Sequence, residues 1–78
     1  MGIYEKGNTL ETSIGQILTR LVVEGAAYEE DLCAAGVVRG EFGKTEWAVR
    51  RQVIPAMIER GLLKKSFDSL NIPVFSAA

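Results

Sequence analysis

The stretch Thr45-Glu46-Trp47-Ala48-Val49-Arg50-Arg51-Gln52-Val53-Ile54-Pro55-Ala56-Met57-Ile58-Glu59-Arg60-Gly61-Leu62-Leu63 decides how this chain folds. Val53, Ile54, Met57 and Ile58 recur at the spacing of one helix face, which predicts a helix over about Glu46 to Arg60. Thr45 is its natural N-cap, because a threonine hydroxyl accepts one of the amides that the first turn leaves without a partner. Gly61 is its natural stop. Pro55 lies inside the pattern. Its ring removes the amide that would bond the Arg51 carbonyl and collides with that carbonyl, so the helix is expected to kink or carry a π-bulge there. A break is disfavoured, since the apolar face continues through Ile58. On the helical wheel Ala48, Arg51, Gln52, Pro55 and Glu59 fall opposite Val53 and Met57.

Upstream, Arg39-Gly40-Glu41-Phe42-Gly43-Lys44 reads as a loop by its glycines, behind an apolar plug of Val37 and Val38. Tyr28 to Ala35 reads as a second helix whose Glu29, Glu30 and Asp31 suit the positive end of the helix dipole, with Gly36 ending it. Consecutive acids on one turn point in different directions, which argues against a metal site or an acid pair. Before a short Ala26-Ala27 connector, Ile14, Ile17, Leu18, Leu21 and Val22 form the apolar face of a first helix. Asn8 or Thr9 is expected to cap it, with Glu11 placed for a capping box, and Gly25 to close it. Residues 1–7, with glycines at 2 and 7 and no periodicity, read as a loose arm; residues 8–78 form the single domain. Downstream, residues 62–67 and 72–76 read as two strands around Asp68-Ser69-Leu70-Asn71, with Phe67 and Phe75 on the inner face and Pro73 on an open edge.

Composition narrows the function. Seventy-eight residues, 47% of them hydrophobic, make one small core with little room for a deep catalytic cleft. There is no histidine and only one cysteine, so Ser-His and Cys-His nucleophile pairs, internal disulfides and the usual zinc sets are absent from the inventory. No phosphate-cradling glycine loop follows a strand, and no cofactor is expected. Cys33, beside Ala34 and Ala35, reads as a core residue rather than a redox group. The apolar runs fall far short of a membrane span, and the N-terminus lacks the basic and apolar regions of a signal peptide, so the expected location is cytoplasmic.

The net charge of −1 conceals a segregation. Residues 1–36 carry two basic against six acidic side chains, a net −4, whereas residues 37–65 carry seven against three, a net +4. Such asymmetry points to an anionic partner for the basic part, or to an ordinary solvated surface.

This order of elements, with Asp31-Leu32-Cys33-Ala34-Ala35-Gly36-Val37 as second helix and turn and Met57-Ile58-Glu59-Arg60-Gly61-Leu62-Leu63 as the exit into a hairpin, resembles the winged helix-turn-helix DNA-binding fold. The resemblance covers residues 9–76, and in size the chain is similar to the small pilus-operon regulators and the minimal winged helices of phage and archaeal genomes. It implies an α+β, mostly α architecture of three helices with a C-terminal β-hairpin wing. The turn over residues 37–44 is longer than the common three or four residues. Counting back from Gly61, Arg50 occupies the apolar position eleven residues earlier and Val49 is displaced by one; an inserted residue at a π-bulge near Pro55 would return Val49 to the core and turn Arg50 outward.

The resemblance also implies roles. The N-terminal half of the third helix would lie in the major groove of double-stranded DNA, with Arg51 and Gln52 reading bases, arginine at guanine and glutamine at adenine. Lys44, Thr45 and Arg50, with Arg39 from the preceding loop, would meet phosphates, and so would Lys64, Lys65 and Ser69 from the wing. Trp47 reads as packing, with stacking on a partner as the alternative. So few phosphate contacts imply a homodimer or a larger protein partner, and Ile3 and Tyr4 on the arm are candidates for packing against a second copy. The expected function is a transcriptional regulator and not an enzyme. The alternative is a winged helix used as a protein adaptor or inhibitor without DNA binding.

Overall fold

The computed structural model describes residues 3–78, with side chains described from Thr9 onward. Three helices and a three-stranded antiparallel sheet follow in the order α1 (Ile3–Glu24), β1 (Ala27–Tyr28), α2 (Glu29–Ala35), α3 (Glu46 to Glu59), β2 (Leu63–Phe67) and β3 (Pro73–Ala77). This is the mostly helical α+β layout, three helices and then a hairpin, that the sequence implied. The core gathers Ile14, Ile17 and Leu21 of α1, Leu32 and Cys33 of α2, Val49, Val53, Ile54 and Met57 of α3, and Leu63 and Phe75 of the hairpin.

α1 differs from expectation at both ends. It is helical from Ile3, so continuous helix stands in place of the loose arm over residues 3–7 and of the N-cap expected at Asn8 or Thr9; residues 1 and 2 of the expected arm and the side chains of Ile3 and Tyr4 lie outside the described residues. Thr9 instead spends its hydroxyl on a tertiary bond to the Phe42 carbonyl at 2.6 Å. At the other end Val22 is 81% exposed. At about 100° per residue it lies about 80° from Ile14, beyond Leu18, on the far margin of a stripe whose other edge is Ile17. Gly25 closes the helix in a left-handed conformation, its amide bonding the Leu21 carbonyl at 2.8 Å.

On the opposite flank of α1 lies a polar row, with Thr9 at the loop and Ser13 and Gln16 at the end of α2. Ser13 Oγ donates to the Gly36 carbonyl at 2.6 Å, and Gln16 Nε2 donates to the carbonyls of Ala35 and Val37 at 2.9 and 2.8 Å. The C-terminal carbonyls that α2 leaves open are thus satisfied by side chains of another helix. A Cβ on Gly36 would stand 2.8 Å from Ser13 Oγ and from Val49 Cγ1 and 2.9 Å from Ile17 Cδ1, so α1 and α3 close on the turn only because the residue there is glycine.

α3 has three parts: α-helical Glu46–Ala48, a π-helical turn Val49–Val53, and α-helical Ile54–Glu59. The Ile54 amide reaches back five residues to the Val49 carbonyl. The turn ends at Val53, two residues before Pro55, the position where an α-helix would lose a bond and meet a clash. Its extra residue restores the register: Val49 is fully buried and Arg50 points outward. Thr45 caps the helix as expected, accepting from the Ala48 amide at 3.2 Å, and Gly61 follows its end with φ +73°.

The sheet holds one strand more than expected. β1, only two residues long, takes the place of the connector and of the first residue expected in α2; Ala27 pairs with Phe75 and Tyr28 with Val74. β3 is therefore central, in the order β1-β3-β2, and Pro73 is not on an edge strand. It pairs with Phe67 one residue past the last β1 pair, where no β1 partner stands to need its missing amide. Asp68 organises the hairpin turn, accepting the Leu70 and Ile72 amides on Oδ1 at 2.8 and 2.9 Å and the Tyr28 hydroxyl on Oδ2 at 2.9 Å. Asn71 completes the turn at φ +64°. Among the described residues no helix is long and apolar enough to cross a membrane.

Candidate nucleic-acid interface

Lys44 enters the site from a loop with little freedom. Val38 and Lys44 exchange two backbone bonds, Lys44 N to Val38 O at 2.7 Å and Val38 N to Lys44 O at 3.0 Å. Between them the Gly43 amide bonds the Gly40 carbonyl at 3.0 Å, Gly40 sits at φ +114°, and a Cβ on Gly43 would fall 1.9 Å from the Val38 carbonyl oxygen. Only glycine permits this closure at position 43. The loop is also tied to α1 through Thr9 and Phe42.

From that anchor Lys44 Nζ donates to Gln52 Oε1 at 2.6 Å, two helical turns further along α3. Next to this row lies a second, in which the Arg51 guanidinium stands 4.9 Å from the centroid of the Trp47 ring. Trp47 is 64% exposed, so the expectation that it packs in the core is corrected: at its helix position it faces away from Val49 and Val53, and its ring serves as a platform for Arg51. Lys44, Arg51 and Gln52, three of the expected contact residues, are thus brought onto one exposed surface at the N-terminal half of α3, and Thr45 lies beside them as the cap.

The other expected residues are dispersed. Arg50 is held by Glu29 at 2.9 Å, both side chains about half exposed (50% and 41%), so its charge is already matched, and it borders the same groove as Gln52. Arg39 is exposed in the loop before Gly40. Lys64 and Lys65 alternate across β2: Lys64 shares a face with Ser66, whereas Lys65 shares the inner face with Leu63 and Phe75. Lys65 Nζ stands 5.6 Å from the centroid of the Phe67 ring and borders a groove with Pro55, Ile58, Glu59 and Phe75. Glu29 and Glu59 line that groove as well, which makes it a poor place for a phosphate. Phe67 lies on the inner face as expected but is 56% exposed, because its position is beyond the reach of α3. Ser69 sits exposed at the hairpin tip beside Leu70, which is 76% exposed.

Three titrations are displaced. The Asp68 carboxylate is lowered by the Ile72 amide first and by the Tyr28 hydroxyl, and the Tyr28 phenol is raised by its bond to Asp68. Burial raises the Cys33 thiol, with the Arg50 charge acting against it. Cys33 is fully buried in the core, as expected. The functional features missed in the sequence are the Lys44–Gln52 bond and the Trp47–Arg51 stack. The second was legible as an i, i+4 pair; the first depends on how the loop closes.

No protein-family model matches this chain, and no characterised protein or solved structure matches it either.

Proposed function

We propose that the chain is a winged helix-turn-helix DNA-binding domain acting as a small transcriptional regulator, reading the major groove with the N-terminal half of α3 and touching the backbone with the wing. The observation that carries this reading is the exposed surface of Lys44, Arg51 and Gln52, in which Arg51 is propped on Trp47 and, among the described residues, has no carboxylate partner. Charged donors aimed outward from the start of a helix after a turn are what base edges and phosphates accept. A DNA-binding role would set the chain in the cytoplasm. With Arg50 matched by Glu29 and Lys65 turned to the acid-lined groove, Arg39, Lys44 and Lys64 are the expected cations left to meet phosphates, so useful specificity would call for a homodimer on two half-sites or a larger partner.

The test is binding of the full chain to a mixed-sequence DNA duplex, read by fluorescence anisotropy across a salt series. About three neutralised phosphates give a slope of log K against log salt near −3. Arg51→Ala and Gln52→Ala should lose sequence preference on a selected site. A chain that shows no salt-dependent binding is not a DNA regulator. The second reading, a protein adaptor, draws on the apolar wing tip formed by Phe67, Leu70 and Ile72, all exposed. Substituting Leu70 would then weaken partner binding, while Arg51→Ala would have no effect on it.

A further inference from the structure

Sequence alone makes Gln52 an adenine reader, since a free amide offers one donor and one acceptor to adenine N7 and N6. Its environment removes that symmetry. The atom facing Lys44 at 2.6 Å must be the amide oxygen, because an ammonium has three donors and no acceptor. The group of Gln52 left for a base edge is then its two-donor nitrogen. An adenine amino group brought to the remaining lone pair of Oε1 would stand donor against cation beside Lys44 Nζ. Guanine presents two acceptors, O6 and N7, and meets donors from both side chains.

Lys44 reaches Gln52 from a fixed backbone. Its backbone is clamped by the two-bond bridge to Val38, which only glycine at 43 permits, and the loop is tied to α1 through Thr9. The neighbouring row presents donors as well, since arginine has no acceptor and the Arg51 guanidinium is propped over the Trp47 ring at 4.9 Å from its centroid. We infer that Lys44 is a specificity-determining residue, and that together with Gln52 it selects guanine rather than adenine at the base facing position 52, in a half-site whose other direct contact, through Arg51, is also to guanine. The inference rests on the DNA-binding reading above.

Selection of binding sites from a randomised duplex pool with the full chain tests it, followed by affinities for the selected site with guanine or adenine at each position. Wild type should prefer guanine at both positions, by about 5- to 150-fold at each. Lys44→Met, which removes the ammonium and frees Oε1, should shift one position toward adenine by about tenfold or more and leave the Arg51 position unchanged. Lys44→Arg, which keeps a donor at that place, should retain guanine there. Circular dichroism establishes that each variant is folded. An adenine preference in wild type, or an unchanged preference in Lys44→Met, overturns the inference while leaving DNA binding standing. Absence of any DNA binding overturns both.

Discussion

Replacing Gly36 by alanine tests how closely α1 and α3 approach the turn after α2. The backbone there, at φ −84° and ψ 0°, is open to alanine, so the substitution gains about 0.4–1 kcal/mol from the unfolded chain. Against this, the new Cβ meets Ser13 Oγ, Val49 Cγ1 and Ile17 Cδ1 at 2.8, 2.8 and 2.9 Å, all on side chains that are themselves buried. Overpacking of this kind costs about 1–3 kcal/mol. The net expectation is destabilisation by about 1–2 kcal/mol, or about 5–15 °C in Tm for a domain of this size. Ser13→Ala alone strips the buried Gly36 carbonyl of its 2.6 Å bond and should cost about 1–3 kcal/mol. In the double variant one of the three close contacts is gone, so its loss should be smaller than the sum of the two single losses, with a coupling of about 0.5 kcal/mol or more. Urea unfolding followed by far-ultraviolet circular dichroism measures all three. A Gly36→Ala protein as stable as wild type, or a strictly additive double variant, would refute the close approach.

Thr45→Ala should cost about 0.5–2 kcal/mol by removing the cap on the Ala48 amide, with Thr45→Ser restoring most of it, again by urea unfolding. Asp68 has a lowered folded pKa, so its contribution to the wing is present above the ordinary carboxylate value and is lost as pH falls through the lowered one. The Leu70 and Ile72 amide shifts should therefore titrate with a midpoint below about 3.9, and a midpoint at or above that value would contradict the turn. If the proposed DNA binding holds, Glu29→Gln should release Arg50 and make its salt slope steeper by about one; an unchanged slope would mean that Arg50 does not reach a phosphate.

Much of this fold was legible because local rules and packing agreed. The stops at Gly25 and Gly61 and the cap at Thr45 follow from backbone chemistry alone. The π turn was legible from a conflict between two signals, a proline inside a helix and an apolar register that fails by one residue at Val49. β1 carried no such signal: two residues have no period, and the strand exists because β3 offers it a partner. The start of α1 was misread because Thr9 is as suitable for a cap as for the tertiary bond it makes. At the site, the exposure of Arg51 and Gln52 followed from the helical wheel, whereas the engagement of Arg50 by Glu29 required knowing how α2 lies against α3. The separation of Lys64 from Lys65 was available from strand alternation and was overlooked in favour of their adjacency.

The sheet order has a consequence for solubility. β2 is paired on one side only, so the backbone groups along the outer side of Leu63–Phe67 form an open edge on which another chain could add a strand. Lys64 and Lys65 sit in the middle of that edge, one on each face, and a second strand laid there would bring cations against it from above and below. The two lysines thus guard against edge-to-edge aggregation whether or not a phosphate ever reaches them, and acetylating both would be expected to make the protein sticky even with its core intact.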